Sequence, residues 1–291
     1  MERNYPSQDE RIALITSWQE QKKIPTINYF LHLRLFNLAL PIIKPQDSWL
    51  TVGDGYGFDA HFLKEQGCKV TASDISTTFL ELSQNAGLIE NYSAENAEKL
   101  SFADNTFDFV FCKEAFHHFP KPFVAVYEML RVAKKGIILI EPQDPISRMP
   151  LLLALRNILD NIQTNLLEKI WKNRYSFEPV GNYVFKLSER ECEKIAMGLF
   201  LPAIAFKGIQ NNYYQKDISN VPATKKSKVF QKMNFKIFRD TLLARLGILP
   251  YQILSAIIFK QMPDQATIKK LKEAQYRFYV LPPNPYLQSN S

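Results

Sequence analysis

Three glycines, Gly53, Gly55 and Gly57, stand within five residues at the end of an apolar run. A turn from a strand into a helix needs glycine where φ is positive and where the backbone approaches a ligand closely. The helix that follows such a turn directs its positive end at the bound group. Asp74 ends the next apolar run, where a carboxylate can accept hydrogen bonds from ribose hydroxyls. We therefore predict a site for a nucleoside-bearing cofactor.

A histidine pair offers acid–base chemistry near the same place. His117 and His118 follow an apolar run, and either could act as general base toward an acceptor hydroxyl. Packing or capping is the alternative role for the pair. Adjacent histidines without a third ligand make a poor metal site, so we expect no metal. His32 and His61 fall in predicted helices, and we interpret both as structural.

The elements that must position these residues alternate along the chain. This alternation predicts an α/β fold, namely a Rossmann-like, doubly wound, mostly parallel sheet with its ligands at the carboxyl ends of the strands. The predicted strands are Trp49–Gly53, Lys69–Ser73, Leu88–Ser93, Phe107–Cys112 and Ile137–Glu141. The predicted helices between them are Phe58–Gln66, Ser76–Asn85 and Pro122–Lys134.

The rhythm changes on both sides of this alternating region, and we divide the chain accordingly. Apolar patterns predict helices over residues 10–43, 146–175, Glu189–Phe200 and residues 236–261. We interpret the lysine-rich segment Lys225–Arg239 as a solvated loop. Residues 1–46 are predicted to be the N-terminal helical part of a lid, and residues 47–145 the cofactor-binding core. Residues 146–275 are predicted to form a mainly helical C-terminal cap that includes one core strand near 203–214. A last core strand (276–282) and a loose tail (283–291) follow.

Composition narrows the class of protein. No apolar run reaches the ~18 residues that a membrane span needs, the N-terminus is polar, and the three cysteines are scattered, so we expect a cytoplasmic protein. The net charge of +7 is uneven, because residues 146–291 carry 22 Lys and Arg against 10 Asp and Glu. That half could attract an anionic acceptor, nucleic acid or an anionic membrane, or it could simply be solvated.

A longer motif identifies a resemblance. The run ENAEKLSFADNTFDFVFCKEAFHHF, which begins at Glu95, resembles the type-11 class I methyltransferases, whose pattern here is roughly D-A-E-x-L-P-F-x-D-x-S-F-D. Together with the glycine turn it covers about residues 47–145. The resemblance implies S-adenosylmethionine as cofactor and S-adenosylhomocysteine as product. Matching positions are Asn96, Ala97, Glu98, Leu100, Phe102, Asp104, Thr106, Phe107 and Asp108.

Carried over residue by residue, the resemblance places adenine against Asn96 and Ala97. Asn96 replaces the usual acid, although its amide oxygen can accept the same hydrogen bond. Thr51 also stands where the family has an acid, and Asp54 could take the place of that acid near the methionine amino group. Ser101 replaces the family's usual proline. The full predicted cofactor-binding set is Gly53, Asp54, Gly55, Gly57, Asp74, Ile75, Asn96, Ala97, Glu98 and Lys113, with Glu114 near the reacting centre.

The methyl acceptor is less defined by the sequence. We predict a small molecule methylated on oxygen, such as a sugar, a lipid-like compound or a secondary metabolite. An RNA or protein acceptor, suggested by the basic half, and a non-catalytic protein, suggested by Thr51 and Asn96, are the alternatives. The candidate acceptor contacts are Tyr183, Tyr213, Tyr214 and Arg148, and Tyr175 and Arg174 are further candidates.

Overall fold

The computed structural model describes residues 7–145, 149–162, 177 and 183–286. Within these residues the strands are β1 (Ser48–Val52), β2 (Lys69–Asp74), β3 (Asn91–Ala94), β4 (Phe107–Lys113), β5 (Ala133–Pro142), β6 (Ala203–Ile209), β7 (Ile253–Phe259) and β8 (Arg277–Val280). The α-helices are α1 (Gln8–Ser17), α2 (Ile27–Phe36), α3 (Phe58–Glu65), α4 (Thr78–Asn85), α5 (Pro122–Val132), α6 (Pro150–Ile162), α7 (Glu189–Gly198), α8 (Lys228–Arg245) and α9 (Gln265–Glu273).

One eight-stranded sheet has the order β3-β2-β1-β4-β5-β7-β6-β8. The pairs from β3 through β5 are parallel, whereas β7 pairs antiparallel with β5 and β6, and β8 pairs antiparallel with β6. The strand order reverses between β1 and β4. In open sheets of this kind, ligands bind outside the carboxyl ends of the strands at that reversal.

Alternate strand residues supply two separate cores, one on each face of the sheet. Trp49 and Phe111 face a layer that includes α1, α2 and α3, whereas Leu50 and Val110 face a layer that includes α5 and α7. Because both faces are covered, the central strands are apolar throughout rather than alternating. The predicted doubly wound, mostly parallel α/β fold is confirmed.

The C-terminal half departs from the prediction. Residues 236–261 do not form one helix, because α8 ends at Arg245 and β7 occupies Ile253–Phe259 in the sheet. Every residue of β7 is buried, and a short apolar run of this kind cannot be assigned to strand or helix by periodicity alone. The segment Lys225–Arg239 is mostly helical rather than a loop, because α8 begins at Lys228. The Ser227 side chain stabilises the start of this helix by accepting a hydrogen bond from the Phe230 amide.

Smaller boundary errors have local causes. The predicted helix over residues 10–43 is two α-helices. The first ends at Ser17, and the second begins at Ile27, where the Thr26 side chain accepts from the Tyr29 amide. Helix α5 ends at Val132, so Lys134 lies in β5, and β3 begins at Asn91 rather than at Leu88.

Helices α2 and α8 pack together beside the carboxyl end of the sheet. Ile27 and Leu31 of α2 share a small core with Phe230, Met233 and Ile237 of α8. Arg34 of α2 also donates to the Asn211 side chain and to the Gln210 carbonyl, just after β6. These contacts tie the N-terminal helices to the C-terminal half.

Candidate active site

A cavity of about 520 Å³, the main cavity of the site, lies at the carboxyl ends of β1, β2 and β4. Its volume is within the range of small-molecule and cofactor sites. All ten residues that we predict to bind the cofactor, except Gly57, line it. The other lining residues include His32, Val52, Tyr56, Phe58, Asp59, Glu95, Glu114, Ala115, His118, Phe119 and Pro120.

The glycine turn begins this cavity, and the backbone explains its composition. Gly53 and Gly57 have φ of +74° and +71°, which is the left-handed region. A Cβ on Gly53 would lie 2.3 Å from the Cβ of Ala115, and one on Gly57 would lie 3.0 Å from Ile89. Both glycines are therefore required by the conformation of the turn and by its close packing, and Gly57 acts from outside the cavity as the N-cap of α3.

Asp74 ends β2 directly across from the turn. A Cβ on Gly55 would lie only 3.4 Å from Oδ2 of Asp74, so the glycine leaves this carboxylate open to the cavity. Its Oδ1 accepts from the Ser76 amide at 3.0 Å, which fixes the side chain. Burial raises the pKa of Asp74, although hydrogen bonds from the Ser76 and Ile75 amides oppose this. Ile75 is 78% exposed and offers an apolar wall at the mouth.

The loop after β3 forms the opposite wall. Oδ1 of Asn96 accepts from the Glu98 amide at 2.9 Å, and Ala97 is buried. Glu98 accepts from the Lys121 amide at 2.7 Å, which ties this loop to the start of α5. Glu95 is held by the amide and the hydroxyl of Ser101, at 2.8 and 2.6 Å. The serine at position 101 therefore supplies an amide proton that a proline lacks.

A buried charge cluster forms the inner end of the cavity. Asp54 accepts from the Thr51 hydroxyl and the Ala60 amide, both at 2.9 Å. The ammonium of Lys113 lies 3.2 Å from Asp59 in the first turn of α3. Thr51 thus holds a carboxylate close to the position where the family carries its own acid. The inner end has two buried carboxylates and one buried cation.

Burial sets the protonation of this cluster. It raises the pKa of Asp59 to about 6, although Lys113 opposes the rise. Burial and the neighbouring Asp59 raise the pKa of Asp54 well above its usual value. Burial alone would lower the pKa of Lys113, but Asp59, Glu114 and Asp54 raise it overall, so the lysine is charged. The inner end therefore combines a fixed cation with carboxylates that titrate above their normal range.

The two histidines have different surroundings. His117 is buried, and its Nδ1 lies 2.7 Å from Oε2 of Glu141 at the end of β5. The other oxygen of Glu141 accepts from the amides of Ala115 and Phe116. His118 lies on the cavity wall, whereas His117 is not among the lining residues. The structure therefore distinguishes two residues that the sequence left equivalent.

A second, smaller cavity of about 150 Å³ shares His32 and Glu114 with the main one. Its other lining residues are Asn28, Leu31, Leu35, Asn211, Asn212, Tyr214 and Ile253. Burial and Lys113 lower the pKa of His32 to about 3, so this imidazole is neutral. Its buried Nδ1 has no hydrogen-bond partner among the described residues. We interpreted His32 from sequence as structural, yet it stands on the wall common to both cavities.

The remaining predicted acceptor residues are scattered. Tyr214 lines the second cavity, but Tyr213 is buried and its hydroxyl donates to Asp240 at 2.8 Å. Tyr183 stacks edge-on against the rings of Phe177 and Phe185 and is not among the residues of either cavity. Arg148, Arg174 and Tyr175 lie outside the described residues.

The sequence did not lead us to assign a role in this site to three of its residues, Asp59, Glu141 and His32. Glu141 stands at the carboxyl end of a predicted strand, a position that indicates the ligand edge, and that signal could have identified it. Asp59 and His32 carry no such signal, because each occupies an ordinary position in a helix.

Comparisons with known proteins bear on this geometry. Residues 50–140 match a family profile described as "Methyltransferase domain". A curated relative from Synechocystis sp., 2-methyl-6-phytyl-1,4-hydroquinone methyltransferase, is 32% identical over 115 residues, which are 38% of this chain and 36% of the relative. The match thus spans about a third of that relative's length.

Two solved structures share the fold. An S-adenosylmethionine-dependent methyltransferase from Archaeoglobus fulgidus superposes with a TM-score of 0.51 at 15% identity, covering 84% of this chain and 99% of its own. A Haloferax volcanii structure, solved as a complex with the Trm112 methyltransferase activator, gives a TM-score of 0.51 at 13% identity and covers 89% of this chain and 100% of its own. Residues 50–140 thus resemble a methyltransferase domain, and the described structure shares its fold with an S-adenosylmethionine-dependent methyltransferase.

Proposed function

We propose that this protein transfers a methyl group from S-adenosylmethionine to an oxygen of a small hydroxyl-bearing acceptor. The observation that carries the proposal is the pair of adjoining cavities. The larger one unites almost all the predicted cofactor residues, and the smaller one meets it at His32 and Glu114. A donor and an acceptor bound in the two cavities would meet at that shared wall.

The residues present fit the cofactor by their chemistry. Gly55 leaves the Asp74 carboxylate open toward the cavity, where ribose hydroxyls can donate to it. Asn96 and the apolar side chains of Ile75, Ala97 and Phe119 suit a flat adenine ring. At the inner end, Asp54 and Asp59 suit the methionine ammonium, and Lys113 suits its carboxylate.

When bound, the cofactor supplies an activated methyl group on a sulfonium. The protein then has to align the acceptor and exclude water, and such alignment can contribute up to roughly 7–11 kcal/mol. The buried cluster of Asp54, Asp59 and Lys113 would fix the methionine end without rearrangement, because Thr51 and the α3 amides already hold Asp54.

The acceptor hydroxyl must lose a proton during transfer, and we assign that proton to His118. It lies on the wall of the main cavity and follows the strand that carries Lys113. His117, fixed by Glu141, would support the ring of His118, whose centroid is 4.0 Å from its own. His32 has too low a pKa to be an effective base, so we assign it a hydrogen bond that orients the acceptor.

The lining of the second cavity supports the small-molecule acceptor. It combines Leu31, Leu35 and Ile253 with the amides of Asn28 and Asn211, a mixture that suits a partly apolar molecule with one or two polar groups. The curated relative is named for a hydroquinone acceptor, which is also a small molecule with hydroxyl groups. An anionic character of the acceptor is supported only by the basic C-terminal half.

A methyl-transfer assay tests the proposal. The protein is incubated with S-adenosylmethionine carrying a labelled methyl group and with a panel of hydroxylated small molecules, including hydroquinones with and without an apolar chain. We expect label in at least one of them, and at least about tenfold less with Asp74→Ala at a cofactor concentration below saturation. Label found instead in bulk RNA or in added protein, with every small molecule unlabelled, would refute the small-molecule acceptor.

A further inference from the structure

Helix α8 buries one face and exposes an apolar stripe on the opposite one. Phe230, Met233, Ile237 and Ala244 are its buried apolar residues. Phe235 and Phe238 are 67% and 68% exposed, and Leu242 and Leu246 are also exposed. The last four residues are three or four positions apart, so they lie along one face of the helix. We call Phe235, Phe238, Leu242 and Leu246 the outer stripe.

Basic residues accompany the outer stripe. Lys228, Lys232 and Lys236 recur every fourth position along α8, and Lys225 and Lys226 precede it. None of these lysines forms an ion pair with a carboxylate in the part of the chain that the structure describes. The helix contains a single acid, Asp240, which is buried and accepts from Arg239 and Tyr213. Asp240 lies close enough to interact electrostatically with Lys236, whose ammonium also lies 5.3 Å from the centroid of the Tyr213 ring. The exposed surface of α8 is therefore apolar and mainly cationic.

A groove of about 950 Å³ continues this surface toward β6. Phe238 and Leu242 of the outer stripe form part of its wall, and Arg34, Lys207 and Arg245 contribute cations. No carboxylate is among its described lining residues. Burial, together with the neighbouring Arg34 and Arg245, lowers the pKa of Lys207, as expected for a cation without a nearby acid. The groove is thus a second observation that favours an anionic partner.

We propose that the outer stripe and its lysines dock the protein on an anionic phospholipid surface. An exposed helix face with phenylalanine and leucine between lysines is the pattern of helices that lie in the plane of a bilayer interface. The apolar side chains would enter the acyl boundary, and the lysines would meet the phosphate groups. A helix that lies in the plane of the interface makes a peripheral contact. In the described part of the chain no helix has the length and apolarity needed to cross a membrane.

A protein or RNA partner fits these observations less well. RNA binding would use the lysines but would leave the leucines of the outer stripe in water. A protein partner with an acidic, apolar groove would have to cover both the stripe and the lysines. The bilayer surface satisfies both sets of groups at once, and this inference does not depend on which acceptor the enzyme methylates.

Vesicle co-sedimentation with the full chain tests the proposal. The probes are vesicles of phosphatidylcholine alone and of phosphatidylcholine mixed with phosphatidylglycerol, at low and high salt. We expect the wild type to sediment with the anionic vesicles at low salt and to dissociate as salt screens the lysines. We expect Phe235→Ser/Phe238→Ser to weaken this binding by about tenfold or more, and Lys232→Glu/Lys236→Glu to weaken it as well.

The matched control is Val124→Ser/Tyr127→Ser, which removes two exposed apolar residues three positions apart on α5. Thermal unfolding of each variant verifies that it is folded. Wild-type protein that stays in the supernatant with anionic vesicles overturns the proposal, as does a Phe235→Ser/Phe238→Ser variant that binds as well as the control. Retention on RNA without sedimentation on vesicles also overturns it.

Discussion

Nδ1 of the buried His117 lies 2.7 Å from a carboxylate oxygen of Glu141, whose other oxygen accepts two backbone amides of the same turn. An ionised Glu141 can only accept, which would place the proton of this hydrogen bond on Nδ1 of His117. The pair fixes the turn that follows β4 and leaves His118 facing the main cavity. We therefore assign a positioning role to His117 and an acid–base role to His118.

The two histidines should therefore respond differently to substitution. We expect His118→Ala to lower kcat by about a hundred- to ten-thousand-fold with little change in thermal stability. His117→Ala leaves the buried Glu141 without this partner, so we expect the free energy of unfolding to fall by about 1–3 kcal/mol. Steady-state kinetics and urea denaturation of both variants check this assignment. Equal kcat values for His118→Ala and the wild type would exclude His118 as the base.

Two glycines with nearly the same positive φ provide a test of the turn. Gly53 and Gly87 have φ of +74° and +75°, but a Cβ would collide with Ala115 only at Gly53. We expect Gly87→Ala to cost about 1–2 kcal/mol of unfolding free energy from backbone strain alone. Gly53→Ala should cost about 2–5 kcal/mol, because overpacking adds to the strain. Urea denaturation measures both, and equal losses would show that the close packing at Gly53 is unimportant.

The alternating core could be predicted from the sequence because each of its elements has a clear local signal. Several apolar runs of strand length end at glycine or at an acid. The helices between them are amphipathic, with Gly67 and Gly87 following two of them and Pro122 beginning the third. Strand β7 could not be predicted in the same way. Its run ILSAIIF is buried on both faces, and its antiparallel partners β5 and β6 are distant in the chain. Tertiary pairing, which no local pattern reports, decides that it is a strand.

The site shows the same division between local and distant information. The glycines, Asp74 and residues Asn96–Glu98 were predictable, because each follows the end of a strand and these ends meet at one edge. Asp54 and Lys113 of the inner charge cluster were predicted as well, but Asp59 was not, because it meets Lys113 only after α3 packs on the sheet. His32 reaches the shared wall through the packing of α2, which depends on contacts with residues after β6.

Asp59 gives the cofactor affinity a dependence on pH. Its pKa is raised to about 6, so the ionised form that would attract the methionine ammonium predominates only above that pH. Asp54, whose pKa is also raised, would face the same ammonium, so both carboxyl groups contribute to this dependence. We expect the affinity for S-adenosylmethionine to fall as the pH decreases, by up to about tenfold per unit for each carboxyl group that becomes protonated. Calorimetric titration across this range is the measurement.

Two variants control for other titrating groups. Asp59→Asn should reduce the slope of the pH profile, whereas Glu90→Gln, which removes an exposed acid on the surface, should leave it unchanged. A profile that keeps its full slope in Asp59→Asn would assign the pH dependence to another group.

Substitutions of the neighbouring Tyr213 and Tyr214 should have different effects, one on stability and the other on acceptor binding. Tyr213→Phe removes the hydrogen bond to the buried Asp240, so we expect a loss of about 1–3 kcal/mol in unfolding free energy with kcat and KM unchanged. Tyr214→Ala, at an exposed position on the second cavity, should raise the KM for the acceptor without changing stability. A raised acceptor KM in Tyr213→Phe would restore that residue as an acceptor contact.

The central claim is that the cavity at the glycine turn holds S-adenosylmethionine, with Asp74 bound to its ribose. Isothermal titration calorimetry with S-adenosylmethionine and S-adenosylhomocysteine, on wild type, Asp74→Ala and the surface control Glu90→Gln, tests it most directly. We predict micromolar binding by the wild type and the control, and a loss of about tenfold or more in Asp74→Ala. Absence of binding by the wild type at millimolar ligand would contradict the claim, and the fold would then serve a non-catalytic role.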